Sequence, residues 1–156
     1  MLFRLFIVAV SLLHPNDTIT RGYLADAVVH ARAVAFDPSE PPLFEGEEEE
    51  GRFKTALLLV SIAHHESRWN PRAVNPAGDS GIMQTRSIWW EGHTREEILS
   101  DAELGYRLGL HALRKLKDEC GGSALRWLGA FASGKCGGAQ GVAWGLCGKV
   151  GLCYDS

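Results

Sequence analysis

The sequence predicts a mainly α-helical single domain. Its 156 residues are enough for one domain with a buried core, and 46 % apolar with 22 % charged residues is an ordinary balance for a globular protein. Apolar residues recur at intervals of three and four in several segments, which is the spacing of helices with one buried face. Residues that start and stop helices flank these segments, and no internal repeat is present.

Four segments show this helical spacing. The predicted helices are 20–36, 52–69, 101–116 and 123–131. Pro71 is expected to end the second helix, and Gly121 with Gly122 to end the third. Thr94 and Glu97 have the spacing of a capping box, which predicts another helix start before residue 101.

Three segments lack helical spacing and are predicted to be irregular. Residues 37–51 are rich in Pro and Glu, which predicts a solvated loop. Residues 71–87 are punctuated by glycine, which predicts either a small β-hairpin or an irregular loop. Residues 134–156 predict a glycine-rich tail that cysteines hold in place.

Residues 1–20 form an apolar segment ahead of a domain that we assign to 21–156. The apolar run 5–13 follows Arg4, as in the hydrophobic region of a signal peptide. No small-x-small cleavage site follows it, so a first helix that stays in place fits equally well. The run is much shorter than the roughly 20 apolar residues that a membrane span needs.

All four cysteines, Cys120, Cys136, Cys147 and Cys153, lie in the last quarter of the chain. An even number in a short stretch is typical of two disulfides, which indicates an oxidising compartment. We prefer the pairs Cys120–Cys136 and Cys147–Cys153 because each closes a local loop. A zinc site is disfavoured, since no Cys-x-x-Cys pair is present, and four free thiols remain an open alternative.

Glu66 is the candidate catalytic residue. It ends an apolar segment with helical spacing, and a loop rich in Asn, Pro and Gly follows at once. A carboxyl group buried at such a helix end has a raised pKa and can carry a proton near neutral pH. The alternative is a surface glutamate at a helix C-terminus, although the helix dipole disfavours a negative charge there.

Several blocks around Glu66 resemble the soluble lytic transglycosylases, which are relatives of goose-type lysozyme that cut peptidoglycan. The resemblance runs from about residue 55 to residue 134 and implies a lysozyme-like fold. The matching blocks are Glu66-Ser67, Asn70-Pro71, Pro76-Ala77-Gly78 and Gly81-Ile82-Met83-Gln84, with an altered block at Ala130-Phe131-Ala132-Ser133-Gly134.

The resemblance implies a reaction that needs one carboxyl group. Glu66 would protonate the glycosidic oxygen between N-acetylmuramic acid and N-acetylglucosamine, and would then take the proton of the sugar's own C6 hydroxyl as a 1,6-anhydro ring closes. One alternative is a hydrolysing muramidase, in which Asp79 activates water as a second carboxylate. Another is a non-catalytic glycan-binding or structural protein, which Phe131 and Ala132 favour because they replace the family's usual Tyr and Asn.

The resemblance also implies a set of substrate-binding residues. Gln84 has an amide that can bind an N-acetyl group or a hydroxyl, and Met83 would line the groove beside it. Asn75 stands where the family has serine, and Phe131 would form an apolar wall. Asp79 would face the substrate, unless it is a turn aspartate that bonds its own backbone.

The remaining functional expectations are mostly exclusions. His64, His65 and Glu66 cannot converge on one metal ion, because adjacent helical residues point about 100° apart, so no metal or cofactor is expected. Trp69 and Trp127 fit the core, whereas the pair Trp89-Trp90 is the better candidate for stacking on sugars.

The expected partner is the glycan strand of peptidoglycan. The formal net charge of −3 provides no basic surface for nucleic acid. We expect a monomer that works outside the cytoplasm, as a periplasmic or secreted enzyme, or one that belongs to a virion or a secretion-system assembly.

Overall fold

The structure is a computed structural model that describes residues 21–149 and residue 151. The expectations for residues 1–20 lie outside the described residues. Within the described part the chain is mainly helical, as predicted, and a 3₁₀ helix, Ser87–Trp89, precedes the third α-helix. The α-helices are α1 (Arg21–Ala35), α2 (Glu48–Ser67), α3 (Arg95–Ser100), α4 (Ala102–Cys120), α5 (Ala124–Ser133) and α6 (Gln140–Lys149).

Helix α2 runs through the centre of the core. It packs against α1, α4 and α6, and apolar residues such as Leu58, Leu59 and Ile62 are fully buried. Trp69 and Trp127 are both 2 % exposed, which confirms their predicted core positions. None of the described helices combines the length and the apolar character that crossing a bilayer requires.

The start of α2 corrects the predicted loop 37–51. The helix begins at Glu48, so Glu48, Glu49 and Glu50 occupy its first turn instead of a loop. Carboxylates are favourable there because the helix dipole places partial positive charge at the N-terminus. Arg52 in the next turn is buried and donates through Nη1 to the Ala35 carbonyl, so it ties the start of α2 to the end of α1.

The end of α2 also differs from the prediction. The helix stops at Ser67 because Arg68 and Trp69 both take left-handed backbone conformations, with φ of 54° and 63°. The Arg68 N–H donates to the His64 carbonyl, which is the 5→1 bond of an αL cap, and the Trp69 N–H donates to the Ala63 carbonyl. The indole of Trp69 donates to the Val60 carbonyl at 3.0 Å. This anchored turn ends the helix before Pro71 is reached.

Residues 70–86 form an irregular loop between α2 and the 3₁₀ helix. Two isolated antiparallel bridges, Val74 with Ser80 and Ser80 with Thr85, fold the loop back on itself. No strand forms within the described residues, so the irregular loop, and not the hairpin, is the correct member of the predicted pair.

Several helices start after this loop, and α3 has the predicted capping box. Thr94 and Glu97 form the capping box of α3, with the Thr94 N–H donating to Glu97 Oε2. Asp101 caps α4 by accepting from the Leu104 N–H. Ser123 occupies the N-cap position of α5, but its side chain forms no capping bond there.

The C-terminal segment corrects the predicted tail. Residues Gln140–Lys149 form α6 even though the segment is rich in glycine, because Ala143, Leu146 and Cys147 are buried against the rest of the fold. The Cys120–Cys136 disulfide is present, which confirms the first preferred pair. Cys147 is also disulfide-bonded, and Cys153 lies outside the described residues.

Candidate active site

Glu66 lies in the last turn of α2, and it lines a small cleft of about 40 Å³. The cleft separates the 70–86 loop from the C-terminal end of α5. Four of the six predicted site residues meet in it, whereas Met83 and Asn75 are not among the lining residues. The lining residues are Glu66, Asp79, Gln84, Thr85, Arg86, Trp89, Phe131 and Ala132.

The cleft changes the acidity of Glu66. Burial disfavours the charged form, and the negative charge of Asp79 adds to this effect, so together they raise the pKa of Glu66 from 4.5 to about 7. A carboxyl group with this pKa holds its proton in a large fraction of molecules near neutral pH. After it gives the proton away, its carboxylate is a stronger base than an ordinary glutamate.

Asp79 is held in the cleft by Asn75. The Asn75 side-chain amide donates to Asp79 Oδ2 at 2.8 Å, and the Asp79 N–H donates to Asn75 Oδ1 at 3.0 Å. The Asp79 carboxylate is therefore engaged by a neighbouring side chain, which differs from the alternative of a turn aspartate bonded to its own backbone. Asn75 has its side chain engaged with Asp79, so in this structure it positions the second carboxylate.

Gln84 lines the cleft, and the nitrogen of its side-chain amide is hydrogen-bonded within the loop. Its Nε2 donates to the Ala73 and Gly81 carbonyls, both at 2.9 Å, and this closes the loop around the side chain. The Oε1 atom is left to accept a bond from a ligand. Gln84 also has a positive φ of 46°, so the backbone turns sharply at this point.

Met83 lies on the other side of the loop, in the core, which corrects its expected place in the groove. Its side chain is 0 % exposed and packs on Gly109 of α4. A Cβ atom at Gly109 would lie only 2.7 Å from Met83 Cε, so the missing side chain on α4 makes the space for Met83. Met83 therefore anchors the loop to α4.

Ser67 joins the end of α2 to this same loop. Its buried hydroxyl lies 2.7 Å from the Ile82 carbonyl oxygen and 3.0 Å from the Ala63 carbonyl oxygen, so its single proton is shared between them, with the shorter contact to Ile82. The contact with Ile82 fixes the loop relative to the last helical turn. Glu66, which precedes Ser67, lines the same cleft as Gln84 of this loop.

Helix α5 supplies an apolar wall. Phe131 is half-buried beside the cleft and brings no hydroxyl to it, and Ala132 follows. Ser133 does not replace the missing polar group, because its hydroxyl donates to the Gly129 carbonyl at 2.7 Å within its own helix. This side of the cleft therefore offers Glu66 no hydrogen-bond donor from Phe131, Ala132 or Ser133, and burial is the larger cause of its raised pKa.

Thr85 and Arg86 are cleft residues that the sequence analysis missed. Both follow the Gly81–Gln84 block directly, which is the signal that could have revealed them. Trp89 lines the cleft as one of the two aromatic candidates, whereas the indole of Trp90 donates to the Thr85 carbonyl at 3.0 Å.

The two histidines before Glu66 diverge. The ring of His64 packs at 4.6 Å from the ring of Trp69, and His65 is exposed. Among the residues that the structure describes, no cluster of His, Cys, Asp and Glu side chains has a metal-binding arrangement.

Within the described residues, a mainly helical domain carries a glutamate of raised pKa beside a glycine-rich loop, which is consistent with the lysozyme-like class. The chain belongs to the family described as the transglycosylase SLT domain, whose model matches residues 44–140 and so includes the whole cleft. At the level of the family, membership supports a transglycosylase-type action on peptidoglycan and binding of that polymer. Comparisons with curated proteins and with solved structures gave no match.

Proposed function

We propose that the protein is a peptidoglycan lytic transglycosylase in which Glu66 acts first as acid and then as base. The bond cleaved is the β-1,4 bond between N-acetylmuramic acid and N-acetylglucosamine. The observation that carries this proposal is the place of Glu66, half-buried at the cleft of the family domain with a pKa of about 7. That pKa lets the same side chain donate and then recover a proton near neutral pH.

The reaction runs in two steps. Glu66 gives its proton to the glycosidic oxygen, the bond from that oxygen to C1 of the muramic acid breaks, and N-acetylglucosamine leaves with a free hydroxyl. The C6 oxygen of the muramic acid then bonds to C1, while the Glu66 carboxylate takes the C6 hydroxyl proton. The enzyme ends in its starting state, and no water is consumed.

The walls of the cleft suit this use of Glu66. Phe131 provides an apolar side of the cleft, where burial raises the pKa of Glu66. Gln84 presents Oε1 as an acceptor for an N–H or O–H of the substrate. Trp89 offers an aromatic face at the edge of the cleft.

Hydrolysis of the same bond is the second candidate, because Asp79 lies in the cleft with Glu66. A carboxylate held by Asn75 could activate a water molecule that attacks C1 in place of the C6 oxygen. The two reactions differ in their products, since hydrolysis leaves a reducing muramic acid.

The test is mass spectrometry of fragments released from purified peptidoglycan by wild type, Glu66→Gln and Glu96→Gln. Glu96 is an exposed glutamate outside the cleft and serves as the matched control. We expect fragments that end in 1,6-anhydromuramic acid from wild type and control, and none from Glu66→Gln. Reducing ends would favour hydrolysis. No fragments from a folded wild type would overturn the enzyme proposal and leave a glycan-binding or structural protein, the alternative that Phe131 in place of the family's tyrosine favours.

We also propose that one domain over 21–156 works as a monomer outside the cytoplasm. The Cys120–Cys136 disulfide supports an oxidising compartment. A periplasmic, secreted, secretion-system or virion setting is compatible with this. Cell fractionation with thiol labelling would contradict the proposal if it found Cys120 reduced in the cytoplasm.

A further inference from the structure

Thr85 and Arg86 are neighbours in the lining of the cleft, and the polar groups of their side chains have no partner among the described residues. The Thr85 side chain is buried, with the residue 2 % exposed, and its Oγ1 has no hydrogen-bond partner in the described part of the chain. Arg86 is exposed and forms no ion pair or hydrogen bond through its guanidinium within the described residues. A buried hydroxyl without a partner is costly in a fold, and because Thr85 lines the cleft, a bond from a ligand there would remove that cost.

The place of the Arg86 guanidinium is set by Gly134. A Cβ atom at Gly134 would lie 2.7 Å from Arg86 Nη1 and 3.1 Å from Nη2, so the guanidinium occupies this position in the space that the missing side chain leaves. Gly134 has a φ of 77° and is the C-cap of α5. The guanidinium therefore rests at the end of the same helix that carries Phe131 into the cleft.

Arg86 does not neutralise the carboxyl groups that share the cleft. Asp79 receives its hydrogen bond from Asn75, and neither Asp79 nor Glu66 forms an ion pair with Arg86 in the described structure. A cation in contact with Glu66 would favour its charged form and remove the proton that the reaction needs. The separation thus leaves one positive charge in the cleft that is available to a ligand.

The substrate offers a matching group next to the bond that is cleaved. Each muramic acid carries a lactyl side chain, which ends either in a free carboxylate or in an amide bond to a stem peptide with carboxylates of its own. Guanidinium groups bind carboxylates through two parallel N–H donors, and a threonine hydroxyl can donate a third bond.

We propose that Thr85 and Arg86 form a carboxylate subsite that selects glycan strands with an acidic group on the muramic acid beside the scissile bond. This inference rests on the proposed function in that it takes peptidoglycan as the substrate. Its alternative is purely structural, because a cation at the C-terminus of α5 also stabilises that helix through the dipole.

Binding measurements separate these explanations without any need for turnover. All proteins in this test carry Glu66→Gln, so that the strands are bound and not cleaved. Binding is measured to three preparations of glycan strands. The first keeps the stem peptides, the second is stripped to the free lactyl carboxylate, and the third is stripped and has these carboxylates converted to methyl amides. We expect Arg86→Gln to weaken binding to an acidic preparation by about tenfold and to leave binding to the amidated strands unchanged. The preparation that shows the loss identifies the lactyl group or the peptide as the source of the carboxylate.

Three further variants sharpen the comparison. Thr85→Val should cause a smaller loss with the same preference for acidic strands. Gly134→Ala should also weaken binding to acidic strands, because the added methyl group moves the guanidinium, while the φ of 77° strains alanine at the end of α5 as well. Arg72→Gln removes the same charge from an exposed residue paired with Glu96 outside the cleft, and should change nothing.

Two outcomes overturn the subsite. An equal loss on acidic and amidated strands would make Arg86 a structural residue of α5, and no loss on either acidic preparation would show that its charge is not used. Failure of the proposed function looks different. If wild-type protein with Glu66 intact released no fragments while the acid-selective binding remained, the subsite would stand and the enzyme proposal would fall. Absence of binding to all three preparations would sink the subsite itself.

Discussion

The negative charge of Asp79 raises the pKa of Glu66 beyond the level that burial alone produces. The two carboxyl groups reach the cleft from different elements, Glu66 from the last turn of α2 and Asp79 from the loop that follows. Asn75 bonds the Asp79 carboxylate and keeps it there. The cleft therefore contains a group that keeps Glu66 protonated and that is itself a candidate base for water.

Asp79→Asn should separate these two roles through the pH dependence of cleavage. Activity needs protonated Glu66, so in wild type it should fall as pH rises through about 7. Removing the Asp79 charge lowers the pKa of Glu66, and the fall should then begin at more acid pH. The shift should be partial, because burial is the larger cause and is unchanged. The measurement is kcat/KM from mildly acid to mildly alkaline pH.

The outcome also distinguishes the two proposed reactions. A transglycosylase with Asp79→Asn keeps its activity on the acid side of the profile, since its nucleophile is the C6 hydroxyl. A hydrolase that relies on Asp79 loses activity at every pH. Glu96→Gln, with one negative charge less outside the cleft, should keep the wild-type profile. An unchanged profile for Asp79→Asn would contradict the charge coupling.

Glu66→Gln should stabilise the folded protein at alkaline pH. Because the pKa of Glu66 is raised from 4.5 to about 7, the folded state binds more protons than the unfolded state between these values, and wild-type stability falls as pH rises through this window. Glutamine does not ionise, so the stability gain of the variant should grow from pH 4.5 to about pH 7. After a discount for partial exposure, we expect the free energy of unfolding of Glu66→Gln to exceed that of wild type by about 2 kcal/mol at pH values above this window.

Urea unfolding at pH 4.5 and at about pH 8 provides this measurement. The gain should be small at the lower pH, where Glu66 is protonated in the fold, and should be largest at the higher one. Glu96→Gln again serves as the control and should show no comparable gain. Equal gains for Glu66→Gln at both pH values would contradict the raised pKa and point to a packing effect.

Local sequence signals predicted the part of the fold that lies around Glu66. The apolar spacing of α2, the glycine loop after it and the capping box of Thr94 and Glu97 are all encoded within a few residues. These features depend on neighbouring side chains and backbone conformation, which a single sequence displays directly.

Features that depend on distant packing were not predictable in this way. Helix α6 contains glycines that disfavour a helix, and it forms because Leu146 and Cys147 are buried against elements far away in the sequence. Met83 was expected in the groove, but it lies in the core, where Gly109 of α4 leaves space for its side chain. The resemblance identified the loop, but which side of that loop faces the cleft is decided by this tertiary contact.

Ser67→Ala should weaken the link between α2 and the cleft loop. The change removes a buried hydroxyl and leaves the Ile82 carbonyl without its side-chain donor, which should cost about 1–2 kcal/mol of unfolding free energy. Because the loop carries Gln84, we also expect kcat to fall by about tenfold as the geometry loosens. Thermal unfolding and fragment release measure the two effects.

Ser100→Ala is the matched control for Ser67→Ala. The Ser100 hydroxyl also donates to carbonyls of its own helix, Glu96 at 2.7 Å among them, but the residue is exposed and outside the cleft. The free energy of unfolding of this variant should fall by less than about 0.5 kcal/mol, and its activity should equal that of wild type. A Ser67→Ala protein as active and stable as this control would show that the Ile82 contact does not hold the loop.

Gly109→Ala should destabilise the protein and lower its activity, although alanine favours helices. The added Cβ would lie 2.7 Å from Met83 Cε, 2.8 Å from Cγ and 3.0 Å from Cβ, so rotation of the side chain end cannot relieve the contact and the loop must move. A helix gain of about 1 kcal/mol is opposed by an overpacking cost of about 1–3 kcal/mol. We expect the free energy of unfolding to fall by about 1 kcal/mol. We also expect kcat to fall, because Gln84 of the cleft follows Met83 directly in the loop.

Gly145→Ala and a double variant complete this test. Gly145 lies in α6, and a Cβ atom added there would meet nothing within 4 Å apart from its chain neighbours and the backbone of its own helix. The same substitution should therefore raise the free energy of unfolding by about 0.5–1 kcal/mol. Adding Met83→Ala to Gly109→Ala removes the two closest atoms and should cost less than the two single changes together. If the two changes add independently in urea unfolding and in kcat, the contact between α4 and the cleft loop does not position the site.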